Sequence, residues 1–188
     1  MNFEKEHLYH IYNQGNNRIK IFYSHENYLF FLTKLRDHII PYADILAWCL
    51  MPNHFHLMIK FSPKEHQNSL IDLNKSIGIM LRSYTRAINK QEGFSGSLFR
   101  QKTKAECITC LNGITPSFYS EENSTRINYK DPSLQYPQIC FNYIHNNPVK
   151  AGLCIKTIDW EYSSAKDHAN LRNGALVNKK VAKEYVEI

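Results

Sequence analysis

Apolar and polar residues follow two different periods along this chain, and their alternation predicts a mixed α+β fold. In two long stretches, 27–40 and 68–91, apolar side chains recur at three- and four-residue steps, which is typical of amphipathic helices. Short apolar runs bounded by Gly, Asn or Pro predict strands. In chain order the predicted elements are a strand at 8–14, a helix at 27–40, strands at 45–50 and 54–60, a helix at 68–91, a strand at 97–105 and a helix at 137–146. Interleaved helices and antiparallel strands favour two layers, with the helices packed on one face of the sheet.

The length and composition fit one folded domain spanning residues 1–188. A chain of 188 residues with 43% hydrophobic and 13% aromatic residues can supply a core, and at this size about 70% of the unfolded surface is buried. One segment, 112–135, is rich in Ser, Asn, Pro and charged residues, and we predict that it is a mobile loop.

Two histidines stand two residues apart on the predicted strand at 54–60. Successive side chains of a strand point to opposite faces, so His54 and His56 share one face while Phe55 and Leu57 take the other. The two Cα atoms are then about 6–7 Å apart, close enough for both imidazoles to bind one metal ion. The alternative is that the two rings only occupy a polar face, because short motifs recur by chance.

The last predicted helix ends with a phenol and an amide on the same side. It should stop near Asn147, since the residue before a proline is pushed out of the α region, and Pro148 follows. Tyr143 and Asn147 are four residues apart and point the same way. An amide oxygen is a suitable ligand for a hard metal ion.

Together these segments resemble the single-tyrosine HUH transposases, and within them the REP-associated tyrosine transposases. The match covers most of the chain in order and spacing. The matching segments read YHIYNQGNN (9–17), WCLMPNHFHLMIK (48–60), LFRQKTKAE (98–106), YIHNNPVKAGL (143–153) and WEYSS (160–164). The segment 107–136 departs from the family pattern by being longer than the usual link.

The resemblance implies a fold, a reaction and a site. The fold is a ferredoxin-like antiparallel sheet. His54 and His56 would hold a divalent metal, Mg²⁺ or Mn²⁺, with Asn147 completing the site, and Tyr143 would be the nucleophile. The reaction would be nicking and transfer of single-stranded DNA, of a hairpin-forming kind, through a 5′-phosphotyrosine. One tyrosine per chain holds only one strand end, so exchange of two ends predicts a homodimer or, alternatively, two successive reactions.

The charge pattern is compatible with a nucleic-acid partner. The net charge of +6 favours polyanions without identifying one. Three cations, Arg100, Lys102 and Lys104, alternate on the predicted strand and are expected to contact phosphates. Candidate DNA contacts on the long helix are Arg82 and Arg86, although such a stripe can also be a solvated face. Lys150, close to Tyr143 in sequence, is a further candidate.

Two other functions remain open from the sequence. One is a DNA-binding regulator of the same fold that has lost catalysis, although such a protein needs none of the four site residues. The other is a metal- or histidine-dependent phosphohydrolase, which would require a further histidine or a carboxylate-rich site. The first ten residues lack the apolar run of a signal peptide and no stretch reaches about 18 apolar residues, so we expect a cytoplasmic protein without a membrane partner.

Overall fold

The computed structural model describes residues 2–63, 72–109, 120–121, 124–125 and 136–188, and the elements below refer to those residues. The strands are β1 (Leu8–Gln14), β2 (Ala43–Met51), β3 (His54–Phe61), β4 (Lys104–Cys107), β5 (Ser120–Glu121) and β6 (Ser124–Thr125). The helices are α1 (His25–His38), α2 (Leu73–Glu92), α3 (Tyr136–Lys150), α4 (Ala165–His168) and α5 (Lys179–Ala182). The α+β class predicted from the sequence is confirmed.

The centre of the fold is a four-stranded antiparallel sheet with the strand order β2-β3-β1-β4. In this order β1 lies between β3 and β4, and Tyr12 of β1 pairs directly with His56 of β3. The alternation predicted for β3 is confirmed, since Phe55 and Leu57 belong to one buried cluster and Met58 belongs to the other. The two histidines therefore share their face with Met58.

One face of the sheet is covered by the two long helices. Phe31 and Leu35 of α1 and Tyr84 of α2 are fully buried against Ile11 and Leu57 of the sheet. At the start of α1 the side chain of Asn27 accepts hydrogen bonds from the backbone N–H groups of residues 23 and 24. At the start of α2, the carboxylate of Asp72 accepts a hydrogen bond from the backbone of residue 75. Both helices thus begin at a side-chain cap.

The tyrosine helix α3 packs on the opposite face, so the helices do not all lie on one face as the sequence analysis expected. Its residues Cys140 and Ile144 pack against Ala47 and Met58. The apolar alternation in β2 explains why a second helix layer is possible there. A register shift between residues 45 and 47 places Leu46 and Ala47 on the α3 face together, which widens the apolar surface that α3 covers.

The helix α3 continues past Asn147, where the sequence analysis expected it to stop. Pro148 lies inside the helix and is buried. Because proline has no N–H, one backbone hydrogen bond is lost at this position. The backbone N–H groups of residues 151 and 153 nonetheless donate to the carbonyls of Asn147 and Pro148, which extends the final turn. Gly152, with a φ of +69°, then ends it in the left-handed conformation.

Parts of two predicted elements lie outside the described residues. The predicted helix at 68–91 is observed from Leu73 to Glu92, and residues 68–71 fall outside the described part. From the predicted mobile loop at 112–135 the structure describes only the pairing of β5 with β6. None of the helices in the described part of the chain has the length and apolarity needed to cross a bilayer.

The chain after α3 covers the outer edge of β2. The backbone N–H of Leu50 donates to the Tyr162 carbonyl, and that of Ser164 donates to the Trp48 carbonyl. The indole N–H of Trp160 donates to the Leu50 carbonyl at 3.1 Å. The segment 160–164 therefore protects a sheet edge that would otherwise expose unpaired backbone groups.

The fold should lose stability in mild acid. Burial lowers the pKa of His145, which hydrogen bonds to the Ser164 hydroxyl at 2.8 Å, to about 3. Below its ordinary pKa of 6.5 the unfolded chain binds a proton here that the folded chain does not, so the free energy of unfolding falls as the pH falls from there to about 3. Each such histidine contributes about 1.4 kcal/mol per pH unit in that window.

We expect His145→Gln to reduce this dependence. Between about pH 6 and about pH 4.5, urea unfolding of the variant should lose about 2 kcal/mol less stability than wild type does. Asn146→Gln, a neutral change at the next residue, should keep the wild-type dependence. Equal acid sensitivity of His145→Gln and wild type would contradict the assignment of the neutral buried ring.

Candidate active site

The site forms where α3 crosses the histidine-bearing face of β1 and β3. The ring of Tyr143 lies edge-on to His56 with 5.4 Å between ring centroids. The rings of His54 and His56 are 5.0 Å apart. The side chain of Asn147, one turn after Tyr143, lies close enough to influence the pKa of both His54 and the phenol. The structure thus brings together all four residues that the sequence analysis assigned to metal binding and nucleophilic attack.

The Asn147 amide is oriented by its own helix. Its Nδ2 donates to the Tyr143 backbone carbonyl at 2.9 Å. This bond ties the side chain to the helix backbone one turn earlier. The position of Asn147 relative to Tyr143 therefore follows from their four-residue spacing on one helix.

Each of the two histidines has its Nδ1 engaged in a hydrogen bond. The Nδ1 of His54 donates to the side-chain amide oxygen (Oδ1) of Asn53 at 2.6 Å, and Asn53 in turn donates through Nδ2 to the Arg18 backbone carbonyl at 3.3 Å. The Nδ1 of His56 lies 2.9 Å from Nε2 of His10, a residue of β1 that is fully buried. The Nε2 atom of each histidine is thus the nitrogen that points away from this bond, and in His54 it is the one left to interact with Asn147.

Burial keeps the imidazoles uncharged. It lowers the pKa of His10 to about 3 and that of His56 well below its ordinary value. The pKa of His54 is lowered by burial too, although its hydrogen bond to Asn147 opposes this. Neutral imidazole is the form that binds metal ions.

Burial has the opposite consequence for the phenol of Tyr143. It raises the pKa of Tyr143, the hydrogen bond from Asn147 lowers it, and the charge of Glu106 raises it. The Lys150 ammonium lies 5.7 Å from the centre of the Tyr143 ring, where a cation favours the ionised phenol. A second phenol, Tyr12, donates to Glu106 at 2.7 Å, and its pKa is raised mainly by burial.

A cleft of about 390 Å³ opens beside these groups. Its lining includes the two histidines, the nucleophile candidate and the three cations predicted to contact phosphate. The lining residues are Tyr12, Asn13, Gln14, His54, His56, Arg100, Lys102, Lys104 and Tyr143. Arg100, Lys102 and Lys104 are exposed, so their charges are available to a polyanion.

The three cations reach the cleft in a different way from the one predicted. Only Lys104 belongs to β4, whereas the sequence analysis expected a strand over 97–105. Tyr12 pairs with Lys104 and Gly15 pairs with Phe99. Between these two pairs, the four residues 100–103 therefore lie opposite only two residues, 13 and 14, of the β1 side. The extra residues, which include Arg100 and Lys102, bulge out towards the cleft.

Asn13 holds this bulge in place. Its side-chain amide donates to the Arg100 carbonyl at 3.1 Å and to the Thr103 hydroxyl at 2.9 Å. The residue is almost completely buried, with 4% of its surface exposed. The side chain therefore takes over the hydrogen bonding that a regular ladder would supply here.

The predicted DNA contacts on the long helix lie away from the cleft. Arg82 and Arg86 are exposed on α2, behind the opposite face of the sheet. The Arg82 guanidinium folds back over Gly78, which borders a second cleft of about 360 Å³. This second cleft shares Lys102 and Lys104 with the first, so the two clefts are neighbours at the β4 edge.

Sequence reasoning missed His10, Tyr12 and Glu106. All three lie on the α3 face, since His10 pairs with Glu106 and Tyr12 pairs with His56. Alternation along β1 places His10 and Tyr12 on one face, which the sequence does show. Which face of β3 they meet depends on strand order and register, and the sequence contains no local signal for either.

Comparison with known proteins supports the fold. The sequence matches no protein-family model and no curated protein. Among solved structures, the chain is similar to a REP-associated tyrosine transposase bound to a REP hairpin, with a TM-score of 0.55 and 18% identity. The similarity covers 90% of this chain and 83% of the other. At this identity the likeness shows a common fold.

We expect the Asn13 amide to be needed for the stability of the bulge. Asn13→Ala removes the buried amide that donates to the Arg100 carbonyl and the Thr103 hydroxyl, and should lower the free energy of unfolding by about 1–3 kcal/mol in urea titrations. Asn16→Ala is the matched control, since its amide donates to the Ser97 carbonyl at an exposed position and should cost less than about 0.5 kcal/mol. Similar losses for the two variants would show that the buried amide has no special role.

Proposed function

We propose that this protein nicks and joins single-stranded DNA in a metal-dependent reaction, with Tyr143 as the nucleophile. The observation that carries the proposal is the contact between the Tyr143 ring and His56 inside a cleft lined by exposed cations. The solved neighbour is described as a tyrosine transposase bound to a hairpin, which supports DNA as the substrate class.

The proposed reaction is an exchange of phosphate esters. The Tyr143 oxygen forms a bond to phosphorus as the bond from phosphorus to the 3′-oxygen breaks. The phenol proton leaves to solvent in the open cleft, and the departing 3′-oxygen takes up a proton to become a free 3′-hydroxyl. The 5′-phosphate stays on Tyr143, and attack by a 3′-hydroxyl on this link reverses the step and joins DNA without ATP.

A divalent cation, Mg²⁺ or Mn²⁺, fits the residues of the site. His54 and His56 would hold it through Nε2, since Nδ1 of each is engaged, and Asn147 would add an oxygen. Within the described residues no group of three or more His, Cys, Asp or Glu is arranged to hold a metal, so an amide is the natural third ligand. When bound, the cation supplies positive charge that stabilises the transition state and the ionised phenol.

The residues around Tyr143 prepare the phenol for attack. Asn147 donates a hydrogen bond that favours the ionised form, and Lys150 adds a cation beside the ring. Burial opposes ionisation, so these groups and the metal act against a desolvation penalty. The hydrogen bond also restricts the orientation of the phenol, which favours an in-line approach.

We propose that the DNA backbone enters along the basic bulge, meaning the bulged residues before β4 together with Lys104 at its start. Arg100, Lys102 and Lys104 would contact phosphates near the bond that is cut, because all three line the same cleft as Tyr143. A strand leaving past Lys102 and Lys104 meets the second cleft, and then Arg82 and Arg86 on α2 become contacts. The substrate we propose is a hairpin-forming single strand.

A homodimer is proposed on chemical grounds. Each chain holds one strand end on one tyrosine, and exchange of two ends needs two tyrosines. The competing function is a DNA-binding regulator of the same fold without catalysis. A histidine-dependent phosphohydrolase is disfavoured, because the third histidine of the site, His10, is fully buried and cannot reach a substrate.

The covalent intermediate provides the decisive test. We expect the protein, mixed with Mn²⁺ and a single-stranded hairpin oligonucleotide, to form an adduct that survives boiling and migrates as protein–DNA on a denaturing gel. Tyr143→Phe and His54→Ala should each abolish the adduct, and so should EDTA. Tyr162→Phe is the matched control, since this ring stacks on Tyr28 at 3.5 Å, outside the cleft, and should leave the adduct intact.

The other outcomes discriminate between functions. Binding of the hairpin with no adduct under any metal condition would favour the regulator. Released product without an adduct would favour a hydrolase. An adduct that persists in Tyr143→Phe would move the nucleophile to another tyrosine, Tyr136 being the nearest alternative on α3.

The basic bulge predicts a salt dependence of DNA binding. Replacing Arg100, Lys102 and Lys104 together by Gln should make the negative slope of log K against log salt shallower by about 2, at about 0.7 per phosphate contact for a single strand. A control that replaces Lys156, Lys180 and Lys183 by Gln removes the same charge outside the cleft and should change the slope by less than about 0.5. Fluorescence anisotropy with a labelled oligonucleotide measures both. Equal slopes for the two triple variants would refute the assigned route.

A further inference from the structure

His10 contacts one of the two histidines and lies behind the site, away from the cleft. Its Nε2 is 2.9 Å from Nδ1 of His56, its ring is stacked on that of His56 with 5.1 Å between centroids, and none of its surface is exposed. It does not line the cleft. A substrate therefore cannot reach it. Its ring also lies 6.0 Å from that of Tyr143 and 4.9 Å from that of Tyr12, but its hydrogen bond at the site is to His56.

The hydrogen bond between the two rings constrains where the protons are. A neutral imidazole has one nitrogen that donates and one that accepts. If His56 is to bind a cation through Nε2, its proton must be on Nδ1, and this N–H then donates to Nε2 of His10. His10 must accept, so its own proton is on Nδ1. Only one of the two possible arrangements of this pair is therefore compatible with a metal on His56.

The other histidine shows the same arrangement with a different partner. The amide of Asn53 donates through Nδ2 to the Arg18 carbonyl, so its oxygen faces His54 and can only accept. His54 is thereby held with its proton on Nδ1. Each of the two metal-binding candidates on β3 thus has a hydrogen-bond acceptor at its Nδ1, which is Asn53 of the β2–β3 turn for His54 and His10 of β1 for His56. A hydrogen-bond acceptor behind a metal-binding histidine fixes its orientation and increases its basicity.

We propose that His10 is a positioning residue that holds His56 as the Nδ1–H tautomer, with Nε2 directed to the divalent cation. The inference rests on the proposed function, because it assumes that His54 and His56 bind a metal. It adds a residue that belongs to neither the paired-histidine motif nor the tyrosine helix. A purely structural role would require His10 to fill space, and an apolar side chain of similar size would do that equally well.

The first test needs no substitution. Long-range ¹H–¹⁵N NMR spectra of the imidazole rings in the metal-free wild-type protein report the tautomer of each histidine. We expect His56 as the Nδ1–H tautomer and His10 as its acceptor. Detection of His56 as the Nε2–H tautomer would overturn the inference, whether or not the variants below fold.

The second test measures metal affinity without DNA. Titration with Mn²⁺, followed by electron paramagnetic resonance of the free ion, gives the dissociation constant for each folded variant. His10→Leu removes the acceptor and should weaken Mn²⁺ binding by about 10- to 100-fold. His10→Gln, whose amide oxygen can accept from His56, should stay within about threefold of wild type. His168→Leu is the matched control for loss of a buried histidine, since that ring bonds to the Leu46 carbonyl away from the site, and it should bind Mn²⁺ like wild type.

The outcomes separate the inference from the proposed function. If wild type binds Mn²⁺ and His54→Ala does not, while His10→Leu binds as tightly as wild type, the metal site stands and the role of His10 is wrong. If His10→Leu and His10→Gln lose affinity equally, the ability to accept a hydrogen bond from His56 is not what His10 contributes, and the inference is again wrong. If wild type binds no Mn²⁺, or His54→Ala binds it unchanged, the metal site itself is wrong and the inference is lost with it.

Discussion

The packing of α3 on the histidine-bearing face of the sheet is the contact on which the rest of the site depends. Ile144 is fully buried against the apolar part of that face, and Tyr143 is its neighbour in sequence. Because the two residues are consecutive on a helix, any shift of Ile144 out of its place would also move the phenol away from the histidines. The bulge in β2 that turns Leu46 and Ala47 to the same side enlarges the surface for this contact. Apolar packing thus fixes the geometry of polar chemistry one residue away.

Desolvation acts in opposite directions on the two kinds of group at the site. It favours neutral imidazoles, which are ready to bind a cation without first losing a proton. It disfavours the ionised phenol, which a nucleophile must become. The proposed cation would reconcile these demands, because it would be attracted to the neutral rings and would stabilise the anion beside them. Burial of the site is therefore compatible with catalysis only if positive charge is supplied there.

Sequence periodicity determined much of this picture because it reports which residues share a face. The alternation at 54–60 placed His54 and His56 together, and the four-residue step placed Tyr143 with Asn147. Three features had no local signal. The bulge before β4 depends on the Asn13 amide, which is 87 residues away in sequence from the Arg100 carbonyl that it binds. The continuation of α3 through Pro148 depends on packing, which outweighs the loss of one hydrogen bond. The partnership of His10 with His56 depends on strand order and register.

The difference between an enzyme and a binding protein of this fold is a matter of energetic cost. A surface that only binds DNA needs exposed cations, and Arg100, Lys102 and Lys104 provide three beside the cleft. Burying imidazoles and a phenol is expensive, since a buried polar group left without its partner costs about 1–3 kcal/mol. The chain meets that cost with a set of specific acceptors and donors, namely His10, Asn53, Asn147 and Ser164. Three of these four bind residues around the cleft, so the specific polar contacts are concentrated where a phosphate would react. Non-specific attraction of DNA would gain nothing from this arrangement, and a reaction at phosphorus would.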